Sequence, residues 1–109
     1  MKVDVLEKMF ATRSSLTEMI IRLAPQNPEQ EAQMRQLVTL RDRVTSAVNH
    51  AVERGFEAST ADLERVALEL DGLNKQLDEA KTRVEGLKTG LEIANKVLSA
   101  VAAVISFVV

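Results

Sequence analysis

Leu63, Leu70, Leu77, Val84, Leu91, Leu98 and Ile105 recur at every seventh residue, and Val66, Leu73, Ala80, Leu87, Ala94, Val101 and Val108 follow each of them three positions on. Seven residues bring a helical side chain back to the same face, whereas in a strand they would carry it to the opposite one. The repeat therefore makes residues 60–109 helical, with one apolar seam that must be covered by other helices. Composition points the same way. Three Phe, four Gly and no Trp or Tyr are a poor supply for strands and glycine turns, and 109 residues are enough for a single domain. An all-α antiparallel bundle, one domain over residues 1–109, is the expected fold.

Two further helices precede the seam. Leu6, Met9, Phe10, Leu16, Ile20 and Leu23 share a face over about 4–23. Ala24-Pro25-Gln26-Asn27-Pro28 then stops the helix, and the same segment starts the next one, with Asn27 as N-cap, Pro28 at the first helical position and Gln30 to complete a capping box. The second helix, about 28–54, carries Met34, Leu37, Val38, Leu40, Val44, Val48, Ala51 and Val52 on a broad apolar stripe. Gly55 ends it as a left-handed cap, with Phe56 folding back on the last turn. Leu70 and Leu73 are expected where the third helix meets the first two.

Gly86-Leu87-Lys88-Thr89-Gly90 is the one interruption inside the heptads. Gly86 fits a C-terminal cap, and Thr89 with Glu92 fits a capping box for a fourth helix. Because the seam keeps its phase through 86–90, a continuous or gently kinked third helix over about 60–109 is the preferred reading. Length opposes it: that helix would measure about 75 Å against about 40 Å for the second, leaving its C-terminal half without cover from its own chain.

The inventory for chemistry is small. No cysteine means no disulfide, no thiolate zinc site and no thiol nucleophile, and His50 is the only histidine. Neither a phosphate-cradling glycine loop nor a calcium-loop spacing occurs, so no enzyme, cofactor, metal or small-molecule substrate is expected. A net charge of -2 and the lack of stacking aromatics argue against nucleic acid. Arg43, His50 and Arg54 form a stripe that reads as a solvated face, with a small anion site as the sharper alternative. Arg13 and Arg41 lie amid apolar neighbours at nearly the same level of a hairpin about Gln26. They predict a polar layer that sets helix register and meets Asn74 or Glu69 of the third helix.

After Lys96 no charged residue follows, and the segment 97–109 is almost wholly apolar, with Ser99 and Ser106 as its polar edge. A helix apolar on all sides needs cover on all sides. Leu91, Ala94, Leu98, Val101, Val104, Ile105 and Val108 are therefore the predicted interaction surface, for a second copy or a helical protein partner. The function expected is a non-enzymatic interaction or assembly module in the cytoplasm, since Met1–Lys8 lacks the apolar core of a secretory signal. The alternative is a membrane-associated protein whose last helix enters lipid. At about 20 Å the apolar run is short for that role.

Overall fold

The computed structural model describes residues 2–56, 59–102 and 104–105, with Lys2 and Val3 described by their backbone only. Four helices account for most of them: α1 (Lys2–Arg22), α2 (Pro28–Arg54), α3 (Thr60–Ala80) and α4 (Gly86–Ala102). No strand occurs among the described residues, and the fold is an all-α bundle of 44 × 28 × 17 Å.

Local chemistry explains the helix ends. The Asn27 side chain accepts a 2.8 Å bond from the Gln30 N–H, and Pro28 opens α2, where a missing N–H costs nothing. The Gln30 side chain reaches one residue further back than a capping box requires, accepting from the Gln26 N–H at 2.8 Å. Gly55 (φ 82°) ends α2 in a region that L side chains avoid, and its N–H donates to the Ala51 carbonyl. Ser59 caps α3, accepting from the Asp62 N–H while its hydroxyl donates to the Asp62 carboxylate.

The third segment is broken, contrary to the expectation of one continuous helix over 60–109. Lys81 caps α3, residues 81–85 turn the chain, and Gly86 is the first residue of α4. Neither Gly86 nor Thr89 has the role expected of it, since Gly86 opens a helix and Thr89 lies within α4. At Gly86 the returning chain passes so close to the end of α3 that a Cβ would collide with the Ala80 carbonyl. Heptad phase did not forbid the reversal, because Val66, Leu73 and Ala80 of α3 and Leu87, Ala94 and Val101 of α4 all face one core.

Each helix runs antiparallel to the next in sequence. Around the bundle α1 touches α2 and α3, and α4 touches the same two, so α2 and α3 occupy opposite corners. Lys8 meets Asp71, Thr12 meets Asn74 and Ser15 meets Asp78, which makes α1 and α3 parallel neighbours. Two helical hairpins are thus stacked like on like, with α2 also parallel to α4. Met9, Leu16, Met19, Leu37, Leu70, Leu77, Leu87 and Ile93 fill the space between them.

Burial of the C-terminal residues is the largest departure from expectation. Ala94 and Val101 have no exposed surface, and Val104 and Ile105 have at most 4%. Their cover comes from the same chain. Because α4 starts at Gly86, its outer face consists of Lys88, Glu92, Lys96 and Ser99, all exposed, and its apolar face turns inward. Beyond the helix, Ile105 forms an isolated antiparallel bridge to Phe56 at the end of α2. Val108 lies outside the described residues.

Candidate docking groove

Between the parallel helices α2 and α4 the surface opens into a groove of about 550 Å³, lined by Thr39, Asp42, Arg43 and Ser46 of α2 and by Leu98 and Ala102 of α4. It continues into a smaller depression of about 250 Å³ bordered by Gln36, Leu40 and Asn95. Helical spacing builds it. Gln36, Thr39, Arg43 and Ser46 advance along one stripe of α2, and Leu91, Asn95, Leu98 and Ala102 along one stripe of α4. The short side chains of Thr39, Ser46 and Ala102 leave the space open. Half-buried Leu98 forms an apolar floor, and the Asn95 amide is held by a 3.1 Å bond to the Leu91 carbonyl. Arg43 stands exposed on the rim and forms no ion pair among the described residues. Asp42 beside it accepts a 2.9 Å bond from Arg41 Nε.

Of the predicted surface, Leu98 lines this groove and Leu91 is half-buried on the same stripe. Ala94, Val101, Val104 and Ile105 are in the core, so the apolar surface that α4 leaves accessible is narrower than the predicted surface. The arginine stripe separates: Arg43 joins the groove, His50 is half-buried and Arg54 is exposed.

The expected layer of Arg13 and Arg41 does not form. Arg13 is exposed, and Arg41 is at the α1/α2 edge, 3.4 Å from the Thr17 hydroxyl. The polar layer belongs instead to α1 and α3. Thr12 Oγ1 donates to Asn74 Oδ1 at 2.6 Å, and Asn74 Nδ2 donates to the Lys8 carbonyl at 3.0 Å, with both side chains buried. Ion pairs flank it on the same seam. Lys8 is 2.8 Å from Asp71, which also meets Lys75, and Lys81 bridges Glu18 and Asp78. The hydrogen bond from Lys8, then that from Lys75, holds the Asp71 carboxyl below its ordinary range. Bonds to Asp71 and to Glu18 raise the Lys8 and Lys81 ammonium groups above theirs. These exposed pairs fix register more than they stabilise.

Among the described residues no group of three His, Asp or Glu side chains is placed to hold a metal ion, and no helix is long and apolar enough to cross a membrane. Comparison with family models, with curated proteins and with solved structures gives no match.

Proposed function

We propose that the protein is a non-enzymatic interaction module whose α2/α4 groove receives an amphipathic helix of a partner protein. The observation that carries this reading is the groove's build, an apolar floor at Leu98 and an apolar wall at Ala102 within a rim of Thr39, Asp42, Arg43, Ser46 and Asn95. Protein interfaces combine an apolar centre with a polar rim, and arginine is enriched in them. From Gln36 to Ser46 the α2 wall measures about 15 Å, enough for about three turns of a docked helix anchored at i, i+3/i+4 and i+7. Arg43 favours a partner that carries a carboxylate beside its apolar stripe.

Photo-crosslinking tests the proposal. A photoreactive residue at exposed Thr39 should give one discrete protein adduct in cells, and Ala102→Glu, on the opposite wall, should abolish it without changing the circular dichroism. An adduct that survives Ala102→Glu, or the absence of any discrete adduct, would remove the groove from consideration.

A further inference from the structure

We propose that the α3–α4 hairpin is a two-state element that opens at residues 81–85 into one continuous helix and exchanges α4 with a second copy of this chain. The closed bundle and the exchanged dimer would then be two packings of one buried heptad row, from Val66 to Val101.

Three observations converge on this hinge. The first is register. Val66, Leu73 and Ala80 on α3 and Leu87, Ala94 and Val101 on α4 keep a strict spacing of seven through the turn, and all six are buried, whereas Leu91 and Leu98 of the companion row are half-buried. A hairpin turn does not require that phase, because each arm needs only its own apolar face. A single helix does require it.

The second is the turn itself. Lys81-Thr82-Arg83-Val84-Glu85 contains neither glycine nor proline, and none of its residues has a positive φ. Lys81 leaves α3 with helical dihedrals, φ -69° and ψ -13°. The bonds that follow are short-range, from Arg83 N–H to Ala80 carbonyl, from Gly86 N–H to Arg83 carbonyl and from Leu87 N–H to Val84 carbonyl. Conversion to the i→i−4 pattern meets no left-handed residue in the turn, unlike the stop at Gly55, where φ is 82°.

The third is Gly86. The closed hairpin depends on its missing Cβ, which would otherwise meet the Ala80 carbonyl. In a continuous helix Ala80 and residue 86 are about 9 Å apart along the axis, and any side chain is accepted. One residue therefore biases the two states in opposite directions.

The occupant is a second copy because the seat that α4 leaves is shaped for α4. Met19, Leu37 and the seam of α3 face a helix carrying glycine at 90, where Met19 Cε would lie 2.9 Å from a Cβ. Exchange reproduces every closed-state contact except those of the turn, so its cost is small and depends on concentration. Two opened helices, each about 65 Å long, would run antiparallel across a two-fold axis near Arg83. This inference does not rest on the groove, which an exchanged α4 rebuilds unchanged.

The cysteine-free chain allows a direct test. Spin labels are attached to Glu69→Cys/Lys96→Cys, both exposed positions, and the labelled chain is diluted into excess unlabelled protein so that distances report on single chains. The closed hairpin gives a separation of about 10–15 Å, the spacing of adjacent helices with short side chains. The opened helix gives about 40 Å. Gly86→Ala should raise the dimer fraction roughly tenfold at fixed concentration, with the long distance confined to the dimer. Glu85→Pro should remain monomeric, because proline breaks a continuous helix there. A folded, monomeric Gly86→Ala, or a dimer that shows the short distance alone, overturns the proposal. If Gly86→Ala only unfolds, the unsubstituted chain decides: concentrated, it should yield a dimer with the 40 Å distance, and the absence of that population overturns the proposal equally.

Discussion

Asn74 is the residue on which the register of the bundle turns. It is buried, its amide satisfies the Lys8 carbonyl, and its oxygen accepts from Thr12. Asn74→Ala should destabilise the protein by about 1–3 kcal/mol in a denaturant titration, because two buried hydrogen bonds are lost and Thr12 is left with the Lys8 carbonyl, 3.1 Å away, alone. Thr12→Val with Asn74→Leu should be near neutral or stabilising, because it removes both polar groups together. Arg41→Leu, in contrast, should change stability by no more than about 0.5 kcal/mol, since its bonds to Asp42 and Thr17 lie at a partly exposed edge. The sequence points to a polar layer of Arg13 and Arg41 that meets Asn74 or Glu69; of these only Asn74 is in the layer, and Thr12, one residue before Arg13, is its partner. Arginine in an apolar stretch is the louder signal. Thr12 looks like an ordinary helical residue until α1 and α3 are known to be neighbours, and one position is 100° of rotation.

Elements show a different division between what was legible and what was not. The ends of α2 could be read directly, because Asn27, Pro28 and Gly55 act locally. The break in the third segment could not, because an unbroken heptad phase is compatible both with a straight helix and with two arms folded on one core. The mismatch in helix length was the better guide, since a helix of about 75 Å beside one of about 40 Å has nothing to pack on. Leu70, fully buried at the centre of α3, should cost about 2–5 kcal/mol when replaced by Ala.

The α1/α3 seam also carries a dependence on pH. Asp71 titrates below its ordinary range in the folded state, so its pairing is in force above that range and is lost as pH falls through its depressed value. Lys8 and Lys81 titrate above theirs, so their contribution is complete at neutral pH and is lost as pH rises through the elevated values. Thermal melts should show a plateau through neutral pH, with declines at both extremes. Lys8→Met with Lys81→Met should flatten the alkaline decline, and an unchanged one would detach the seam from it.

At the scale of the molecule, the governing fact is that α4 and the turn after it are covered by the chain's own helices. Ile93, Val97, Val101 and Ile105 have at most 4% of their surface exposed, and each buried side chain of this size contributes about 1.5–3 kcal/mol. The apolar run after Lys96 looked as if it needed a second molecule because it was read without Lys88 and Glu92, which supply the polar face of the helix it ends. The proposed docking site is the α2/α4 groove, whose short-walled shape is a property of two helices together and is written on neither alone. Sedimentation of the unmodified chain, without detergent and over a dilution series, tests self-coverage most directly. A species of 12.0 kDa at low micromolar concentration, with strand-free helical circular dichroism, is the predicted result. An oligomer that persists on dilution, or a chain kept in solution only by detergent, would show that α4 is covered by another molecule and not by its own bundle.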